Sequence, residues 1–172
     1  MTARVQSFAP IVSSTSRILI LGSLPGIASL QAAGYYAHPR NAFWPIMQSV
    51  FDVDATAPYE TRTASVLAAG LALWDVVGAG TRPGSLDADI VASSVEANDI
   101  VGLLGLYPGL RRICLNGGAA ATLFRRHVAP RLPPQLIDTI DTRALPSTSP
   151  AHASLTLADK TIAWRTALLD PL

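Results

Sequence analysis

In the stretch Arg17-Ile18-Leu19-Ile20-Leu21-Gly22-Ser23-Leu24-Pro25-Gly26, four consecutive large apolar residues stop abruptly at small, turn-forming ones. A short continuous apolar run bounded by Gly and Pro is what a strand buried on both faces requires. The pattern recurs along the chain. Leu71-Ala72-Leu73-Trp74 meets Asp75 and then a glycine-rich stretch through Gly84, and Ile113-Cys114-Leu115 stops at Asn116-Gly117-Gly118. A fourth strand is expected over residues 135–140, with a hairpin-like return through Arg143 to Leu145 that ends in Ser147-Thr148-Ser149-Pro150.

Between these runs the apolar spacing becomes helical. Residues 41–51 place Phe43, Ile46, Met47 and Val50 on one face, and residues 58–69 offer Tyr59, Val66 and Leu67. Residues 99–106, 119–126 and 157–169 complete the set of expected helices. Strands alternating with helices predict an α/β protein: a three-layer α/β/α domain around a central, mostly parallel four-stranded sheet. With 172 residues, 49% of them hydrophobic and only 15% charged, one core is sufficient, and the chain is read as a single domain over residues 1–172. There is no internal repeat, low-complexity tract or linker to divide it.

This order of elements places the chemistry. In an open parallel sheet the ligand cleft lies outside the carboxyl ends of the strands, where connecting loops and helix N-termini converge. Each of the four polar clusters follows a strand, so all four are expected at one rim.

Composition removes several classes of function. Cys114 is the only cysteine, which excludes an intramolecular disulfide, a four-thiolate zinc site and an iron-sulphur cluster held by four cysteines of this chain. His38, His127 and His152 lack metal-ligand spacing, so neither a metal nor a cofactor is expected. No run of 18 apolar residues occurs, and the first sixteen residues hold no secretory-type apolar stretch; the sequence reads as a soluble cytoplasmic protein without a membrane partner. The net charge of +1 says little, but between Asp99 and Asp138 there is no acid while Arg111, Arg112, Arg125, Arg126 and Arg131 all occur. Guanidinium groups suit a phosphate-bearing partner, and they equally stabilise a helix C-terminus, where Arg125 and Arg126 are expected.

The rim segments carry the candidate chemistry. Gly22 to Gly26 is a tight turn that brings backbone close to a ligand, yet it is neither GxGxxG nor GxxxxGK[ST] and it misses GxSxG. In Tyr35-Tyr36-Ala37-His38-Pro39-Arg40-Asn41-Ala42-Phe43-Trp44, two aromatic pairs flank a His, an Arg and an Asn, in a chain only 6% aromatic. Flat rings beside polar groups fit a pocket for a planar base. Phe43 and Trp44 also fit a helix core, and Asn41 fits either a helix cap or a catalytic amide. Asp75 either accepts a hydrogen bond from a ligand or pairs with Arg82. Asn116 serves the turn or the ligand, and the small polar residues around Ser149 and His152 suit contact with phosphates.

The residues Leu21-Gly22-Ser23-Leu24-Pro25-Gly26, Ser29-Leu30, Tyr35 to Asn41 and Phe43-Trp44 together resemble the first motif of the uracil-DNA glycosylase superfamily, most closely its hypoxanthine-DNA (deoxyinosine) glycosylase family. Leu73-Trp74-Asp75-Val76-Val77, Arg82 to Asp87, Asn116-Gly117 and Ser149-Pro150-Ala151-His152-Ala153 resemble the later motifs in the expected order, so the likeness spans residues 17–165. There is one departure. In the mismatch-specific branch the first motif reads GINPG and its Asn positions the attacking water, whereas this chain has Leu24 there.

The resemblance implies a monofunctional DNA glycosylase of base excision repair. Its partner would be double-stranded DNA containing deaminated bases, hypoxanthine favoured. It would act as a monomer, cytoplasmic and nucleoid-associated, with no cofactor, metal or iron-sulphur cluster. Asn41 would take over water positioning. The base pocket would comprise Gly22, Ser23, Leu24, Pro25, Tyr36, Phe43, Asp75 and Asn116, with Tyr36 stacking on the base and Asp75 and Asn116 reading its edge. Ser147, Ser149, Pro150, Ala151, His152 and Ala153 would bind the DNA. Two readings stay open beside it: a uracil or mismatch-specific uracil glycosylase, and a non-catalytic module that binds damaged DNA. A Ser/His hydrolase built on Ser149 and His152 lacks the required elbow.

Overall fold

A computed structural model describes residues 4–172. The chain begins with β1 (Arg4–Gln6) and β2 (Ile18–Gly22), followed by α1 (Ile27–Ala32), α2 (Phe43–Phe51) and α3 (Tyr59–Ala68). Next come β3 (Leu71–Asp75), β4 (Val77–Thr81), β5 (Glu96–Ala97) and α4 (Ile100–Leu106). The rest is β6 (Arg112–Asn116), α5 (Gly118–His127), α6 (Pro134–Ile137), β7 (Asp141–Leu145) and α7 (Leu157–Leu169).

Three of the four expected strands, β2, β3 and β6, form one sheet with β7 in place of the fourth, in the order β3-β2-β6-β7 and with every pair parallel. Its two faces divide the core by residue parity. Ile18 and Ile20 of β2, with Leu71 and Leu73 of β3, pack against α2, α3 and α7 through Phe43, Ile46, Val66 and Trp164. Leu19 and Leu21, with Ala72, Ile113 and Leu115, pack against α4 and α5 through Ile100, Leu104 and Phe124. Strands covered on both sides have no polar face, which is why their sequences read as continuous apolar runs.

The chain passes from β2 to β3 on one side and from β3 to β6 on the other, so the strand order reverses at β2. A sheet of this type opens its crevice at such a switch point. Register fixes what stands there: Gly22 is opposite Asp75, Leu21 is opposite Leu115, and Asn116 is opposite Leu145.

Three features depart from the sequence reading. The hairpin expected over residues 135–145 does not form. Pro134 opens α6 instead, because a proline in the first helical turn has its φ preset and no N–H to lose, and the chain then enters the sheet once, as β7 parallel to β6. The short α1 follows the first turn. A second, antiparallel sheet of β1, β4 and β5 lies beside the main one. Among the described residues no helix is long and apolar enough to cross a membrane.

Candidate active site

The carboxyl ends of β2, β3 and β6 surround a cleft of about 400 Å³. One wall is the turn after β2. Gly22, Ser23, Leu24 and Pro25 all line the cleft and all are buried. The turn is tied to β3 and β4 by hydrogen bonds from the Val76 and Val77 amides to the Gly22 and Ser23 carbonyls, 2.8 and 3.0 Å. Leu24 packs with Val5 and Val77 in a small apolar cluster, so the position that carries an amide in the mismatch-specific branch is occupied here by hydrocarbon.

Arg82 holds this turn from behind. Its guanidinium donates to the Leu24 carbonyl at 3.3 Å, to the Pro25 carbonyl, to Gly84 O at 3.1 Å and to Asp87 Oδ1 at 3.3 Å. It is almost wholly buried, and burial pulls its pKa down. Arg82 therefore pairs with Asp87 and two turn carbonyls, and among the described residues Asp75 has no ion-pair partner.

Asp75 ends β3 at the cleft floor with 4% exposure. Its Oδ2 has no hydrogen-bond partner among the described residues. Burial, with the charge of Asp87 acting in the same sense and Arg82 opposing, pushes its pKa up to about 7. A carboxyl in this state exchanges between hydrogen-bond donor and acceptor near neutral pH.

Tyr36 stands over the same floor. Its backbone is left-handed, φ 56°, an uncommon conformation for an aromatic residue. Its ring lies on that of Phe43 with centroids 4.0 Å apart and planes 24° apart. Phe43 is fully buried in the core, so it backs Tyr36 and does not itself line the cleft. The segment is anchored by Trp44 Nε1 donating to the Tyr35 carbonyl and by the Tyr35 amide donating to the Tyr59 hydroxyl.

Asn41 lines the cleft at the start of α2. Its Oδ1 accepts the Phe43 amide at 2.9 Å, so the side chain closes an Asx turn into the helix and is held in one orientation, while the N-cap position itself is Ala42, without a side-chain bond. The expected N-cap role thus falls one residue short, and the fixed amide lines the cleft. The next amide, of Ala42, donates to the Thr148 carbonyl at 2.9 Å and joins the helix start to the last rim loop.

Thr148 is the hub of that loop. The Asn116 carboxamide donates to its hydroxyl and accepts its amide, both at 2.9 Å. Asn116 lines the cleft, but both of its polar atoms are engaged by Thr148. Gly117 follows at φ 96°, with Ser147 Cβ 2.8 Å from where a side chain would begin, so a glycine is needed there.

Ser147, Ser149, Pro150 and Ala151 line the cleft, whereas His152 and Ala153 lie beyond it. Lys160 of α7 shapes this loop from beneath by donating to His152 O at 2.7 Å and Ser149 O at 3.5 Å. Trp164 Nε1 holds Pro146 O at 2.9 Å.

The structure divides the arginine-rich segment. Arg112 is buried and structural, bonded to Asp141 at 2.7 Å and to the Ala167, Asp170 and Pro171 carbonyls. Arg125 and Arg126 lie in the last turn of α5, roughly 10 Å along the helix from its start at the rim. Arg40 and His38 both line the cleft.

Sequence reasoning missed the supporting roles of Arg82, Thr148 and Lys160. One signal was present for Lys160: it falls in register with Trp164, Ala167 and Leu168, the buried stripe of α7. A lysine in an apolar stripe needs acceptors for its ammonium.

An open parallel sheet with one cleft at its switch point, walled by an aromatic segment and a Ser-Pro loop, defines a class. Residues 9–172 match the family model of the Uracil DNA glycosylase superfamily, and the chain belongs to that superfamily. It is 36% identical over 113 residues to Hypoxanthine DNA glycosylase of Methanosarcina barkeri (strain Fusaro / DSM 804), spanning 65% of this chain and 70% of that one. Over 116 residues it is 36% identical to Hypoxanthine DNA glycosylase of Methanosarcina acetivorans, spanning 67% and 72%. The fold matches the solution NMR structure of a candidate uracil DNA glycosylase from Methanosarcina acetivorans with a TM-score of 0.75 and 29% identity, over 96% of this chain and 99% of that one. The family likeness read from the motifs and the predicted α/β/α class are both borne out.

Proposed function

We propose that the protein is a DNA glycosylase that removes deaminated bases, hypoxanthine above all, from double-stranded DNA in base excision repair. The observation that supports it most is convergence: Asn41, Tyr36, Asp75 and the loop from Ser147 to Ala151 all border one cleft of about 400 Å³. Two relatives named for hypoxanthine excision add to it. In this reading the lesion nucleotide leaves the duplex and enters the cleft, and the Ser147 to Ala151 loop braces the distorted strand. We place the enzyme in the cytoplasm at the nucleoid, acting as a monomer.

The chemistry is hydrolysis at C1′. The C1′–N9 bond breaks, its electron pair leaves with the purine, the water oxygen bonds to C1′, and one water proton is released to satisfy the departing base. Positive charge grows on the sugar and negative charge on the base, so preorganised dipoles matter more than a strong base. Asn41 supplies such a dipole. With one lone pair of Oδ1 fixed by the Phe43 amide, the other holds a water O–H and aims its oxygen at C1′. Placement of this kind contributes on the order of several kcal/mol.

The test is a panel of duplexes carrying hypoxanthine, uracil, xanthine or a thymine mispair, incubated with the protein and cleaved with alkali at any abasic site. Release of hypoxanthine faster than the other bases is the expected result. Faster release of uracil would move the protein to the uracil branch, and tight binding without abasic product would make it a non-catalytic damage reader.

A further inference from the structure

Two polar atoms at the cleft floor lack hydrogen-bond partners among the described residues although both are buried, Tyr36 Oη and Asp75 Oδ2. They belong to side chains that meet over Gly22. A Cβ at residue 22 would lie 2.5 Å from Asp75 Oδ1 and 3.6 Å from Tyr36 Oη, so the absence of a side chain there is what admits both groups. Buried groups left unpaired weaken a fold, and a native structure that keeps two of them side by side at a cleft floor holds them for a ligand.

The hydrogen inventory defines that ligand. Burial pushes the Tyr36 phenol above its ordinary pKa, so it keeps its proton. That proton has no acceptor among the described residues and is free to be donated. Phe43 fixes the ring by stacking on one face. Asp75 beside it, when ionised, can only accept.

We propose that Tyr36 Oη and the Asp75 carboxylate form a donor and acceptor pair that reads the lactam edge of the extruded base, the phenol donating to the exocyclic carbonyl oxygen and the carboxylate accepting the adjacent ring N–H. The proposal rests on the glycosylase reading and specifies its substrate class. Hypoxanthine presents O6 beside N1–H, and uracil presents O4 beside N3–H. Adenine and cytosine present an amino group beside a bare ring nitrogen, which reverses both members and sets the carboxylate against a lone pair. Deamination of adenine or cytosine converts the second pattern into the first, so one pair of side chains distinguishes hypoxanthine from adenine and uracil from cytosine.

The test compares wild type with Tyr36→Phe on two duplexes, one carrying hypoxanthine and one carrying unsubstituted purine, which has no O6. Single-turnover excision and equilibrium binding are both measured. Tyr36→Phe keeps the ring on Phe43 and removes only an unpartnered hydroxyl, so its thermal midpoint should match or exceed that of wild type. Its excision of hypoxanthine should fall by about tenfold or more, with no loss on the purine duplex. An equal loss on both duplexes, or none on hypoxanthine, overturns the pairing. If wild type releases neither hypoxanthine nor uracil, the glycosylase reading fails instead. Binding then decides the pairing: a preference for hypoxanthine over purine DNA that Tyr36→Phe loses supports it, and one that Tyr36→Phe retains overturns it.

Discussion

Gly22 and Asp75 stand opposite each other in the β2 and β3 register, and the missing side chain of Gly22 is the space that the Asp75 carboxylate occupies. An added methyl group at 22 would begin 2.5 Å from Asp75 Oδ1 and so must displace the carboxylate or the turn. Gly22→Ala should cost about 1–3 kcal/mol of stability through overpacking. It should also slow hypoxanthine excision by roughly tenfold or more as the floor is rebuilt. A thermal melt and a single-turnover assay on the same preparation check both parts.

Asn41 both closes the turn into α2 and faces the cleft, so its two roles separate by substitution. Asn41→Ala should lose about 1 kcal/mol of stability through the missing hydrogen bond to the Phe43 amide. Its excision rate should fall by about a hundredfold or more, as when other positioned catalytic groups are removed. Asn41→Asp retains an acceptor for the Phe43 amide and should restore the stability. Near-normal turnover by Asn41→Ala would remove this residue from the mechanism.

The raised pKa of Asp75 has consequences for both stability and rate. Its folded value of about 7 lies above the usual carboxylate value, so the folded state holds the proton more tightly than the unfolded chain. Its contribution to stability is complete below the ordinary carboxylate pKa and is lost as pH rises through about 7. Asp75→Asn removes the titration and should be more stable than wild type at alkaline pH, by on the order of 3 kcal/mol.

Hypoxanthine excision should move with pH in the opposite sense. The carboxylate that accepts N1–H forms as pH rises, so the wild-type rate should climb across neutrality and level off above it. Burial sets this window first, with Asp87 acting in the same sense and Arg82 opposing, and Tyr36 and Tyr35 close by. A rate independent of pH from acid to alkaline conditions would show that Asp75 does not read the base.

Lys160 shapes the Ser147 to Ala153 segment by holding two of its carbonyls, at Ser149 and His152. Lys160→Met fills the same volume without the donor. Binding of lesion duplex should weaken several-fold as the loop loses its shape, while excision from the bound complex changes less. A fall confined to the excision step, with binding intact, would count against a bracing role.

Much of the fold could be read from the chain alone. Strands β2, β3 and β6 are visible because burial on both faces leaves no room for polar alternation, whereas the edge strand β7 alternates, and the turns after the strands are visible because Gly, Pro, Ser and Asn concentrate there. Those two facts place Gly22, Asp75, Asn116 and Ser147 on one rim. The small second sheet was not legible: Val77-Gly78-Ala79-Gly80-Thr81 has neither apolar continuity nor clear alternation, and its pairing with residues 4–6 and 96–97 is made over long distances in sequence. The segment around Pro134 was misread because a short apolar run fits strand or helix equally, and the proline decided for helix.

Tertiary structure alone decided what each rim residue can do. The sequence names Asp75 and Arg82 as oppositely charged neighbours, yet folding turns Arg82 onto the Leu24 and Pro25 carbonyls and Asp87, leaving the Asp75 Oδ2 without a partner. It names Tyr36 as an aromatic and Asn116 as an amide, yet only packing directs the first one's hydroxyl to the floor and engages both ends of the second on Thr148. Local chemistry is written in residue types and spacing, because strands and turns depend on near neighbours. Which polar atom stays free depends on groups that meet from distant parts of the chain, and that is settled only when the three layers close.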